Sequence, residues 1–194
     1  MPLIMVGGQA KDAGKTTLVC NIIAAFPQFR WMAVKFAGHS HLPQNSRLLV
    51  RTRDYSIWQQ SSSGSESDTA RYSSAGAARA LLVQVRDGKM REACLAIHQE
   101  LSSVEAVLIE SAGAMKFFSP DLCLLVVAST QTEFKDSARE LLDDVDGVVW
   151  REAGRDAPRE FLRLAQSKPS YRSMRDGLDP ALAAAVASLL EGVH

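Results

Sequence analysis

Apolar residues in this chain fall into short continuous runs, separated by stretches in which they recur every three or four positions. The runs at residues 2–6, 32–36, 80–85, 104–110, 121–128 and 147–150 predict strands. Most are unbroken rather than alternating, as in strands buried on both faces. Helical spacing predicts helices at about 15–26, 89–101, 134–143 and 157–166, with a last one near 179–191. Leu18, Val19, Ile22, Ile23 and Phe26 form the first apolar stripe, and Pro27 supplies its stop. Met90, Cys94, Ile97 and Leu101 form another behind the Asp87-Gly88 turn, and Leu182, Val186, Leu189 and Leu190 mark the last. Strands alternating with helices predict an α/β protein: one three-layer α/β/α domain over residues 1–194 with a mainly parallel sheet.

Residues 38–67 break this rhythm. They hold Gly38-His39-Ser40-His41-Leu42-Pro43 and end in a serine-rich tract from Ser61 to Ser67. The reading is a long mobile insertion near 38–67, because structureless loops of this length are functional or flexible. His39 and His41 lack a third ligand nearby in sequence, which is poor support for a closed zinc site.

Composition narrows the classes. Formal net charge is zero, so neither nucleic acid nor an anionic membrane gains bulk electrostatic support as a partner. No apolar run approaches the roughly 18 residues needed to span a bilayer, and the first run lacks the basic segment of a secretory signal. Cys20, Cys94 and Cys123 are widely spaced and form no metal pattern, which fits thiols in a reducing cytoplasm.

The chemistry concentrates between the first run and the first helix. Gly7-Gly8-Gln9-Ala10-Lys11-Asp12-Ala13-Gly14-Lys15-Thr16-Thr17 follows a strand and opens a helix, the context of a phosphate-binding loop. In such a loop backbone N–H groups converge on a polyphosphate at the positive end of the helix dipole. Lys15 is then expected on the β- and γ-phosphates, with the Thr16 hydroxyl on Mg²⁺. A lysine opening a helix opposes the dipole unless an anion is present. Gly8 and Gly14 enclose five residues instead of the usual four, and Gln9 stands at the usual first-glycine position.

A second acidic group is expected at the end of a hydrophobic strand to complete the magnesium shell. Glu110 ends the run Val104–Glu110, at the sheet edge that carries ligands in open α/β folds. A glutamate in place of aspartate suggests contact through a metal-bound water, and Ser111-Ala112-Gly113 allows close backbone approach to a γ-phosphate. Lys35, ending the second run, points to the same edge, as phosphate contact or as a solvated strand-end lysine. Asp68 reads either as the N-cap of a short helix or, with Arg71, as a residue facing nucleotide and metal. Lys15 and Glu110 are the expected catalytic residues. Gly8, Lys11, Asp12, Ala13, Gly14, Thr16, Thr17, Lys35, Asp68 and Arg71 make up the rest of the expected nucleotide site, with Thr16 and Glu110 on the metal.

Several segments together resemble the P-loop protein family of molybdopterin-guanine dinucleotide biosynthesis, MobB. They are Gly14-Lys15-Thr16-Thr17-Leu18, Val34-Lys35, Gly38-His39-Ser40-His41, the stretch from Asp68 to Ala77, and Glu110. The resemblance covers roughly the first 115 residues and implies a dimeric GTP-binding adaptor, partnered by a molybdenum-cofactor nucleotidyltransferase. Here Phe36-Ala37-Gly38 separates Lys35 from the histidines, which the family places directly after its lysine. Gly8 to Gly14 and Glu110-Ser111-Ala112-Gly113 are also similar to dethiobiotin synthetase. That likeness implies an ATP-dependent small-molecule kinase or ligase. Lys11 lies one residue nearer to Lys15 than the extra loop lysine of some dimeric ATPases. Nothing resembles the Asn-Lys-x-Asp element that reads guanine, so the choice between GTP and ATP stays open.

Overall fold

Leu3–Gly8 forms β1, and all six of its residues are buried. Successive side chains of a strand point to opposite faces, so a strand apolar at every position needs cover on both. Leu3 and Met5 enter one core layer while Ile4 and Val6 enter the other. The computed structural model describes residues 1–38, 43–60, 67–101, 104–128, 135–151, 164 and 166–192.

In chain order the elements are β1, α1 (Lys15–Ala25), β2 (Trp31–Gly38), β3 (Ser46–Arg51), β4 (Tyr55–Gln60), α2 (Asp68–Ser74), β5 (Arg79–Val85), α3 (Met90–Glu100), β6 (Ala106–Glu110), β7 (Leu122–Val127), α4 (Asp136–Arg139), β8 (Gly147–Trp150), β9 (Ser170–Arg172) and α5 (Pro180–Glu191). The nine strands form one sheet in the order β3-β4-β5-β2-β6-β1-β7-β8-β9. All pairings are parallel except those of β4, which runs antiparallel to β3 and β5. On one face α3 packs Ala93, Cys94 and Ile97 against β1, β2 and β5. On the other, α1 brings Leu18, Val19, Ile22 and Ile23, and α5 brings Leu182, Val186 and Leu190. The result is the expected α/β/α architecture. Asp179 caps α5 by accepting hydrogen bonds from the backbone N–H of Ala181 and Leu182, ahead of Pro180 in the first turn.

The structure departs from the sequence reading in several places. Within residues 38–67, taken there as one long loop, β3 and β4 form a hairpin that extends the sheet. Its inner face is partly polar: the Ser56 hydroxyl donates to Gln84 Oε1 at 3.2 Å, and both residues are buried. β9 has three residues and was not anticipated. The helix expected at 134–143 is a single turn, Asp136–Arg139, running into turns. His39, His41, most of the serine tract and most of the helix expected at 157–166 lie outside the described residues. Ser67, not Asp68, caps α2, its hydroxyl accepting from Ala70 N–H at 3.2 Å. No helix among the described residues is long and apolar enough to cross a membrane. Cys94 and Cys123 are buried, and desolvation pushes both thiols up to about 12.

Candidate functional site

Parallel pairing aligns the strand ends that carry the site. Val6 on β1 is in register with Glu110 on β6, and Glu110 with Lys35 on β2. The chain leaves β1 at Gly8, where an added Cβ would lie 2.7 Å from the Lys15 Cδ. A side chain there would have to push the Lys15 stem aside. Gln9, fully buried, fastens the loop to β7: its N–H donates to Val126 O at 3.0 Å and its Oε1 accepts from Ala128 N–H at 3.2 Å.

Asp12 and Gly14 both have positive φ, 61° and 107°. Gly14 tolerates this and Asp12 does so at a cost, the kind of local strain that collects at functional loops. α1 then starts at Lys15 with no side-chain cap and no acidic residue in its first turn. Its first N–H groups and the positive end of its dipole therefore face the cleft, an arrangement suited to an anion. The Lys15 ammonium curls back over the loop and donates to Ala10 O at 2.8 Å. Burial lowers its pKa, Glu110 opposes that, and the Lys35 and Lys135 ammonium groups add to the lowering. The Arg151 guanidinium donates to Asp12 O at 2.7 Å, tying the end of β8 to the same loop.

Glu110, 3% exposed, organises the floor. Its Oε2 accepts from the Thr16 hydroxyl at 2.8 Å and from the Tyr72 hydroxyl, while its Oε1 accepts from the Lys35 ammonium at 3.0 Å. Tyr72 is raised well above the usual phenol range, first by burial and then by the adjacent Glu110 carboxylate. Lys35 also pairs with Asp68, which lies 3.9 Å from Arg71. Arg71 reaches Thr17, donating to its hydroxyl at 3.3 Å.

The cleft over these groups has a volume of about 1150 Å³. Gly8, Lys11, Asp12, Gly14, Lys15, Thr16, Thr17, Lys35, Asp68, Arg71 and Glu110 all line it. Ala13 does not: it is buried beneath the loop in the core. The sequence reading missed Gln9 as an anchor, Tyr72 as a partner of Glu110, and Lys135 and Arg151 altogether. Asp68 is freed for Lys35 because Ser67 takes over the cap. Thr16 and Glu110 are hard oxygen donors side by side, which suits Mg²⁺ completed by phosphate and water.

The charges around Lys35 carry a pH signature. For Asp68, burial raises the carboxyl, but the Lys35 hydrogen bond and charge outweigh it and hold it below the usual 3.8. For Lys35, burial lowers the ammonium, but Glu110 and Asp68 outweigh it and hold it above 10.5. A depressed acid stabilises the fold above its unfolded pKa, and the benefit fades as pH falls through the folded value. A raised lysine stabilises below 10.5, and that benefit fades as pH climbs through its folded pKa. Asp68→Asn is therefore expected to lose stability at neutral pH and to flatten the acid limb between about pH 5 and pH 2. Melting temperatures across that range check this; an acid limb as steep as wild type contradicts it.

No protein-family model matches the sequence, and no curated protein matches it. Among solved structures, HypB from Helicobacter pylori in complex with nickel is similar over 98% of this chain and 90% of its own, at 13% identity and a TM-score of 0.54. The "apo" form of LpxK from Aquifex aeolicus in complex with ATP is similar over 89% of this chain, at 15% identity and a TM-score of 0.53. The chain spans 53% of the length of that LpxK. The MobB homologue from Bacillus stearothermophilus is similar over 99% of both chains at 16% identity, with a TM-score of 0.46. At such identities the likeness speaks for the fold alone, the three-layer α/β/α architecture described above.

Proposed function

We propose that the chain binds a nucleoside triphosphate with Mg²⁺ in the loop between β1 and α1 and hydrolyses it slowly. One observation carries this reading. An uncapped helix start behind a left-handed Gly14 lies beside a lysine whose only hydrogen-bond acceptor among the described residues is a loop carbonyl. Partly buried, with no carboxylate of the described residues in hydrogen-bond reach, this ammonium suits an anionic counter-charge. The triphosphate tail supplies one. Loop amides would cradle the phosphates, Lys15 would neutralise them, and Thr16 with Glu110 would hold Mg²⁺. Bound Mg²⁺ contributes further charge neutralisation at the phosphate oxygens. Lys35 and Tyr72 fix the Glu110 carboxylate from two sides, so that it is oriented before the ligand arrives.

The resemblance carried by Asp68–Ala77 extends the proposal to an accessory role in molybdopterin-guanine dinucleotide formation, with GTP as the nucleotide. A second reading, phosphoryl transfer from ATP to a small acceptor, draws on the width of the cleft. At about 1150 Å³ it exceeds the roughly 300–1,000 Å³ of a typical single-ligand pocket. Beyond the phosphate loop, Phe36, Gly38 and Ser111–Gly113 also line it. The ATP bound by the similar LpxK agrees with that reading.

Calorimetric titration with GTP and with ATP, with and without Mg²⁺, tests the proposal. At least one nucleotide is expected to bind, tightened about tenfold or more by the metal, equivalent to roughly 1.4 kcal/mol. Absence of binding by either overturns it. A marked preference for GTP favours the adaptor, and turnover that depends on an added acceptor favours the kinase.

A further inference from the structure

The loop region holds more cationic groups than a Lys15-based cradle needs. Lys15, Lys35 and Lys135 line one cleft although they come from α1, β2 and the connection after β7. Their partners differ. Lys35 is matched by two carboxylates, Asp68 and Glu110. Lys15 donates to a carbonyl. Lys135 has no carboxylate partner among the described residues, yet its backbone is fixed, its N–H donating to Gln9 O at 3.1 Å. That bond anchors Lys135 to the half of the loop whose Ala10 carbonyl holds the Lys15 ammonium.

Like charges gathered in a recess repel, and an anion placed between them reverses the sign of the interaction. We propose that Lys135 is a second phosphate-binding lysine, which faces the terminal phosphoryl group beside Lys15 and sets a preference for triphosphate over diphosphate. This rests on the nucleotide reading above and gives it a residue that no local motif marks. The position fits. Lys135 lines the same cleft as Gly14, Lys15 and Thr16, and its backbone is held by the loop itself at Gln9 O.

The test compares the full chain with Lys135→Ala and Lys135→Arg. Each is titrated with Mg²⁺ and a slowly hydrolysed triphosphate, GTPγS or ATPγS, and with GDP or ADP. Lys135 is exposed, so truncation leaves the fold intact, as a melting curve verifies. Lys135→Ala is expected to weaken the triphosphate about 10- to 100-fold and the diphosphate by no more than about twofold, with Lys135→Arg close to wild type. Unchanged triphosphate affinity in Lys135→Ala overturns the proposal. So does an equal loss for both ligands, which marks a scaffolding role. Wild-type protein that binds neither nucleotide defeats the parent reading, a result distinct from either of those.

Discussion

Lys15→Ala is expected to lower triphosphate affinity by about 100-fold or more, the sum of two charge-assisted hydrogen bonds of roughly 1.5–3 kcal/mol each. The fold should survive the change. Among the described residues Lys15 forms no ion pair, and its ammonium donates to Ala10 O, so truncation strands none of their carboxylates. Because burial lowers its pKa below 10.5, charging Lys15 costs the folded state free energy at neutral pH. The alanine variant should therefore melt at or above the wild-type temperature in the absence of ligand. That advantage shrinks as pH rises through the depressed pKa and the wild-type lysine sheds its proton. Nucleotide titration and thermal melts of both proteins at two pH values check the pair of effects. Retained affinity would mean that the loop amides alone hold the phosphate, and a collapsed melt would mean that the lysine stem supports Gly8.

Glu110→Ala is expected to act in the opposite way, on stability as well as on binding. Removing one member of a buried ionic cluster costs about 3–5 kcal/mol, because the remaining groups stay in place without their partner. The Tyr72 hydroxyl is sealed from water and loses the acceptor that the structure gives it, as does Thr16. Lys35 retains Asp68 alone. Urea unfolding of wild type and variant reads the cost, and a difference under about 1 kcal/mol would show that water enters and satisfies these groups. The Mg²⁺ effect on nucleotide affinity should disappear in the same variant, because Glu110 would supply the acidic half of the proposed metal site. Loss of stability with the Mg²⁺ effect intact would separate the two roles.

The central architecture was readable because its strands are apolar on both faces and its first two helices carry unbroken stripes. Leu3–Val6 followed by the glycine-bounded loop and the Leu18–Ile23 stripe placed β1, the cradle and α1 with few errors. The hairpin was hidden by chemistry: Ser56 and Gln60 on β4 and Gln84 on β5 are buried polar groups satisfied by one another and by nearby chain, so no alternation of apolar and polar residues shows. β9, at three residues, is too short to carry a period. In the site, Lys15, Thr16, Lys35 and Glu110 were legible because each lies at a strand or helix end that the pattern already marks. Gln9 was read as a departure from the usual loop, although its side chain fastens that loop to the end of β7. Tyr72, Lys135 and Arg151 reach the site only through tertiary packing, and neighbouring residues carry no trace of that.

Gln60 joins two parts of the molecule that a diagram of strands would keep apart. Its Oε1 accepts from Thr69 at 3.1 Å and its amide group donates to Gln44 O and Asn45 O at 3.2 Å each, so the outermost hairpin is stitched to the residue beside Asp68. Whatever grips or lifts the margin of the sheet at β3 thereby tugs on the carboxylate that steadies Lys35, some distance inward. Changes on that remote rim should be felt first as a retuning of the floor of the cleft, before any loosening of the sheet itself.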